Sequence, residues 1–206
     1  MSDRPGARAT LDTPFGPFTV VVDADGVVLA AGWTVAPDDE LLPLVHPSLR
    51  PPEVVERPEL GAVTAAVSAF HDGEAGPAAA MPVRQYGGPF LQEVWARMRE
   101  IPAGTSLSYT ELAARAGRPL APRGAAQACA HNAVGLFVPD HRVRRGDGSL
   151  GGFRWGLSVK EGLLAAEVAA AAGEVAPEAG AGQVAPEAGA GAETGPQEPV
   201  RSGADA

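Results

Sequence analysis

The stretch FVPDHRVRRGDGSLGGFRWGL, residues 137–157, has the layout of an active-site loop. Pro139 leads into Asp140-His141-Arg142-Val143, and a turn with Gly151 and Gly152 follows. A carboxylate beside an imidazole supports two opposed states. Burial in an apolar pocket drives Asp140 towards its neutral form, while a His141 cation holds it ionised, so the two titrate as a unit. As an anion Asp140 accepts a hydrogen bond, and as an acid it donates one. A nucleophilic side chain would be the more usual occupant between that proline and that histidine. The remaining chemistry is sparse. The single cysteine, Cys129, excludes an intrachain disulfide and a multi-cysteine zinc site. His46, His71, His131 and His141 show no metal-ligand spacing, so neither a metal nor another cofactor is expected.

These residues need elements to hold them. Phe90, Leu91, Val94, Trp95, Met98 and Ile101 make one apolar helical stripe, stopped by Pro102 and Gly104. Ser108 and Glu111 have capping-box spacing, which predicts a helix over 109–116 ending at Gly117. A second short helix of mostly Ala and Gly is expected over 122–131, with Arg123 the one long side chain at its start. By themselves, two short helices around a Pro-containing turn fit a helical hairpin as well as a helix-turn-helix.

Upstream, PFGPFTVVVDADGVVLAAGWT reads as a hairpin turning at Asp23-Ala24-Asp25-Gly26. Residues 36–58, with six prolines, read as loop, and Leu60, Val63, Val67 and Phe70 predict a helix ending at Gly73. The expected organisation is a flexible N-terminus (1–8), a small α/β domain (9–74), a linker (75–88), a mostly helical domain (89–172) and a tail (173–206). The tail repeats VAPEAGAG at 175–182 and 184–191, and its lack of bulky apolar residues predicts disorder.

The net charge of −9 is unevenly spread. Residues 1–86 carry 12 acids and 5 bases, and residues 171–206 carry 6 acids and 1 base. Residues 87–170 carry 10 bases, nine of them arginine, against 7 acids. A cationic middle segment suits phosphate contacts, although a solvated basic face has the same composition. No apolar run is long enough to span a membrane, and MSDRPGARAT lacks the apolar core of a signal peptide, so a cytoplasmic protein is expected.

The blocks GGPFLQEVWARMREIPAGTSLSYTELAARAG, RGAAQACAHN, VPDHRV and GSLGGFRWGLSVKEGLLAAE, in this order and spacing, resemble the O6-alkylguanine-DNA alkyltransferase family. The resemblance covers roughly residues 9–170, more loosely over the first domain. It implies an α/β fold of two small domains, the first ribonuclease-H-like, the second mostly helical with a DNA-binding helix-turn-helix at 108–132. It further implies that Arg123 fills the space of an extruded nucleotide, that Tyr109 crowds the phosphate, and that Asn132 is the hinge. Ala128 and Arg142 are implied at the DNA. Pro139, Phe153 and Lys160 are implied at the lesion pocket, and His141 with Glu167 as the pair that activates the nucleophile through water. The implied partner is double-stranded DNA carrying an alkylated guanine, bound by a monomer.

Three departures bear on activity. Asn132-Ala133 replaces the family's Asn-Pro hinge, and Phe153 replaces an aromatic hydroxyl. Asp140 stands where the family has the acceptor cysteine of Pro-Cys-His-Arg-Val. Cys129, 11 residues upstream on the second helix, reads as packing. An aspartate is already ionised near neutral pH and is a poor nucleophile towards an alkyl carbon, so the substitution most simply removes irreversible alkyl transfer. The pattern is similar to the alkyltransferase-like proteins, which bind O6-alkylguanine without repairing it and mark it for nucleotide-excision-repair proteins. Most of those carry tryptophan at this position. Two alternatives stay open: Asp140 accepts the alkyl group as an ester that His141 and Glu167 help to hydrolyse, or the pocket binds nothing.

Overall fold

The computed structural model describes residues 4–173; the repeat-containing tail lies outside the described residues. Three antiparallel strands, β1 (Gly6–Thr13), β2 (Gly16–Val22) and β3 (Val28–Trp33), form a sheet in the order β3-β2-β1, and a fourth strand, β4 (Val54–Glu56), extends it beyond β1. The expected hairpin is β2–β3. Its turn closes because Asp23 Oδ1 accepts from the Asp25 and Val27 amides at 2.9 and 3.0 Å, and Gly26 takes φ +80°. β1 begins inside the segment expected to be flexible. Its alternation of small and polar residues is a weak strand signal, and Gly6 is held because a Cβ there would meet the Val22 carbonyl at 2.5 Å.

The proline-rich segment is more ordered than its composition suggested. It holds a short helix α1 (Pro37–Glu40), a 3-10 turn (Leu42–Leu44) and β4 (Val54–Glu56), which pairs in parallel with Gly6–Arg8. Leu41 and Val45 cover Val21, Leu29 and Ala30 on one face of the sheet. The other face takes α2 (Ala62–His71), which buries Val63, Val67 and Phe70 as its periodicity required.

The expected linker is not a free tether. It carries α3 (Ala75–Ala80), and then the Val28 amide donates to the Pro82 carbonyl while the Arg84 amide donates to the Val28 carbonyl. The helical part follows: α4 (Pro89–Arg99), a two-residue β5 (Leu107–Ser108), α5 (Tyr109–Arg115), α6 (Pro122–Ala130), a 3-10 turn (Asp140–Arg142), β6 (Val143–Arg144) and α7 (Leu157–Ala172). One apolar core crosses from sheet to helices, joining Phe18, Val20 and Phe70 to Trp95, Met98 and Phe137. The segment after α6 docks on the edge of β3, with Ala31 donating to the Ala133 carbonyl and Gly135 donating back to that of Ala31. None of the helices among the described residues is long and apolar enough to cross a membrane.

His71, at the end of α2, is packed among Phe15, Trp33 and Phe70, and its Nε2 is buried without a hydrogen-bond partner among the described residues. Burial pulls its pKa down to about 4, against a small opposing pull from Asp72. The unfolded chain therefore binds a proton below the ordinary histidine value of 6.5 that the folded chain refuses. Stability falls as pH drops from 6.5 to about 4, by roughly 2 kcal/mol after allowance for partial exposure. Urea unfolding of wild type and His71→Phe at pH 7 and pH 4.5 checks this. The variant is expected to lose less stability over the interval.

Candidate nucleic-acid interface and buried carboxylate pocket

The two helices expected around the Pro-containing turn are α5 and α6. The capping box at the start of α5 is closed in both directions, with Glu111 N to Ser108 Oγ at 3.2 Å and Ser108 N to Glu111 Oε2 at 2.7 Å. α5 ends at Gly117 with φ +76°, and Pro122 starts α6. Ala125, Ala128 and Cys129 face the core, where Trp95 Nε1 donates to the Ala128 carbonyl at 2.8 Å. The exposed side presents Arg123, Gln127 and Ala130. Ala128 was expected at the DNA, but it is fully buried. Period 3.6 turns Ala130 outward in its place.

Beside α6 opens a cavity of about 660 Å³, with Tyr109, Cys129, Asp140 and Phe153 in its wall and Arg145 and Arg154 also lining it. The sequence did not place these two arginines at the pocket, and it read Cys129 as a packing residue only. Arginine clusters signal charge, but not which members share a cavity. Gly151, at φ +70°, lets the loop lie against Tyr109; a Cβ there would stand 2.7 Å from the tyrosine hydroxyl.

Asp140 is 8% exposed, and Asn132 holds it. Asn132 Nδ2 donates to Asp140 Oδ1 at 2.9 Å and to the Val138 carbonyl at 2.8 Å. Burial pushes the Asp140 carboxyl above the usual carboxylate range, opposed by the Asn132 hydrogen bond and by the charges of His141 and Lys160. Burial likewise pushes the Cys129 thiol up, with Asp140 adding to it. Cys129 Sγ packs 3.7 Å from Met98 Sδ. A thiol held neutral in this way is a packing residue, as its alanine-rich setting implied.

Ala133 leaves a backbone N–H where the family's hinge proline has none. Gln85 Oε1, from the segment before α4, accepts it at 2.7 Å. Gln85→Leu strands that donor and is expected to cost about 1–3 kcal/mol. Gln85→Glu, which keeps the acceptor, is expected to restore most of the loss. Thermal unfolding of both variants is the measurement, and equal stability of wild type and Gln85→Leu would count against the bond.

Behind the pocket lies an ionic cluster. Glu167 of α7 accepts from His141 Nε2 at 2.9 Å, from Arg142 Nη2 at 2.7 Å and from the Gly104 amide at 3.1 Å. Burial opposes its charge, but His141 and Arg142 outweigh it and hold the carboxyl at about 2. The expected His141–Glu167 pair is therefore present as a direct contact. Arg142 was expected at the DNA, and the structure corrects this. It is 4% exposed, with Nη1 on the Ile101 carbonyl at 2.6 Å, because a buried Glu167 needs a cation more than the surface does. Two pocket expectations also shift. Lys160 is fully buried outside the cavity lining, with Nζ on the Val143 carbonyl at 2.6 Å, and it reaches Asp140 through its charge alone. Pro139 is buried and outside the lining.

Residues 89–169 match the family model described as 6-O-methylguanine DNA methyltransferase, DNA binding domain. The chain is 33% identical over 153 residues to a methylated-DNA–protein-cysteine methyltransferase of Salmonella typhimurium, covering 74% of this chain and 90% of that protein. It is 47% identical over 87 residues to the bifunctional transcriptional activator/DNA repair enzyme Ada of Escherichia coli, but this alignment spans only 25% of that longer protein and 42% of this chain. The crystal structure of Mycobacterium tuberculosis OGT in complex with DNA superposes with a TM-score of 0.66 at 27% identity, covering 80% of this chain and 94% of that one.

Proposed function

Because the chain belongs to the methylated-DNA–protein-cysteine methyltransferase family, we propose that it binds duplex DNA carrying O6-alkylguanine, rotates the damaged nucleotide into the Asp140 cavity, and leaves the alkyl group in place. One observation carries this reading. The cavity beside the exposed face of α6 is open and lined by aromatics and arginines, and the buried carboxylate in its wall is the residue that the resemblance aligns with the family's acceptor cysteine.

The parts divide the work. Arg123, exposed at the start of α6, enters the duplex and takes the place of the extruded base. Tyr109, half-buried at the cavity, presses on the phosphate of the rotating nucleotide. Arg145 and Arg154 contribute positive charge where a phosphate passes. Asn132 ties α6 to the pocket floor through Asp140. Alkyl transfer needs a soft nucleophile. A carboxyl held towards its neutral form and bonded through Oδ1 to Asn132 is a weak one. The function is then recognition in DNA repair, with excision left to nucleotide-excision-repair proteins.

Two measurements test this. Arg123→Ala is expected to weaken binding to an O6-methylguanine duplex about tenfold or more, and binding to the undamaged duplex about twofold. An equal loss on both would make Arg123 a phosphate contact only. Intact-mass spectrometry of the wild type after incubation with the lesion duplex is expected to show no added methyl group, and the lesion content of the DNA is expected to stay constant. A methyl ester at Asp140, or lesion-free DNA accumulating beyond the amount of protein, overturns the recognition reading in favour of a transferase.

A further inference from the structure

If a rotated base occupies the cavity, as proposed above and as this inference requires, the unsatisfied half of the Asp140 carboxyl discriminates among its substituents. Oδ1 is engaged by Asn132 Nδ2, and Asn132 is itself fixed by the Val138 carbonyl and by the Val134 amide, which donates to its Oδ1 at 3.3 Å. The carboxyl is thereby held in one orientation. Its second oxygen, Oδ2, makes no hydrogen bond among the described residues, although the side chain is 8% exposed and lines the cavity. Lys160 makes no hydrogen bond to it; its ammonium donates to the Val143 carbonyl and, at 3.4 Å, to that of Gly152. The Tyr109 and Phe153 rings in the same wall offer faces for a base.

We propose that Asp140 makes this a pocket for O6-hydroxyalkylguanines, Oδ2 forming a hydrogen bond with the substituent's hydroxyl that a plain alkyl group cannot form. A hydroxyl serves both protonation states, since it donates to a carboxylate and accepts from a carboxylic acid. A methyl or propyl group instead seals the oxygen away from water with no partner, which is the costly arrangement. A site that bonds a substrate hydroxyl rejects the analogue lacking it far more strongly than an apolar pocket rejects one methylene. The cavity, about 660 Å³ and open on one side, accommodates a base with a short substituent.

The test is competition binding with three duplexes, carrying O6-(2-hydroxyethyl)guanine, O6-propylguanine, which has the same number of heavy atoms, or unmodified guanine. Wild type is expected to prefer hydroxyethyl over propyl by roughly tenfold to a hundredfold. Asp140→Leu, an apolar side chain of similar size, is expected to lose or reverse that preference. Asp140→Asn, which keeps a donor and an acceptor, is expected to retain most of it and serves if the leucine variant folds poorly. Equal binding of the two lesions by wild type, or a preference unchanged in Asp140→Leu, overturns this inference and leaves lesion recognition standing. Binding of both lesions no tighter than unmodified DNA overturns the two together.

Discussion

Asp140→Cys is expected to take one methyl group from an O6-methylguanine duplex, once per molecule, where the wild type takes none. The reason lies behind the pocket rather than in it. Nε2 of His141 is bonded to Glu167 at 2.9 Å, and Glu167 holds its charge down to about pH 2 because His141 and Arg142 outweigh the effect of its burial. Nδ1 of His141 is buried with no hydrogen-bond partner among the described residues. An imidazole oriented by a carboxylate through one nitrogen is the arrangement that accepts a thiol proton with the other, directly or through one water. A thiolate then attacks the alkyl carbon, guanine leaves as the O6 anion and takes up a proton, and the thioether remains on the protein. Intact mass and peptide mapping locate the methyl group. The family's hinge has proline where this chain has Ala133, so Asp140→Cys with Ala133→Pro forms the second arm. A thiol that reacts with iodoacetamide in both variants yet takes nothing from DNA would sink the assignment of His141 and Glu167 as an activating pair.

Glu167→Ala is expected to lower the unfolding free energy by about 3–5 kcal/mol, because it strands the buried Arg142 guanidinium and unpairs His141. For a chain of this size that corresponds to a melting temperature lower by about 10 °C. Glu167→Gln, which keeps an acceptor but not the charge, is expected to lose less. The pH dependence has a definite sign. The folded pKa of Glu167 lies below its ordinary value of 4.5, so its contribution is present above pH 4.5 and lost as pH falls towards 2. The gap between wild type and Glu167→Ala is therefore expected to be widest at neutral pH and to narrow through that window. Below it the remaining acid sensitivity belongs to other groups. A neutral-pH difference under about 1 kcal/mol would show that the cluster does not hold α7 to the 3-10 turn.

Much of this protein was legible locally. The apolar stripe of Phe90 to Ile101 became α4, Ser108 and Glu111 closed the capping box of α5, and Asp23 with Gly26 made the hairpin turn. Each depends on neighbours within four or five residues, so its physics is written along the chain. The ordered blocks around VPDHRV likewise placed the loop and identified Asp140, His141 and Glu167 as one constellation.

What the chain could not disclose was which groups would satisfy one another across space. The family resemblance placed Arg142 at the DNA. It lies inside because Glu167, 25 residues away, and the Ile101 carbonyl, 41 residues away, converge on it. Gln85 sits in what read as a linker, and its role at the Ala133 amide exists only because the segment after α6 docks beside it. β1 and β4 carry too little apolar pattern to announce themselves and become strands through backbone pairing, β1 along β2 and β4 on β1. The orientation of the Asp140 carboxyl depends on Asn132, eight residues earlier at the end of a different element. Sequence determined which residues could do chemistry and which helices carry them. Tertiary structure decided which buried charge has a partner and which oxygen is left for a ligand, because the cost of burying a polar group depends on neighbours that only folding brings together.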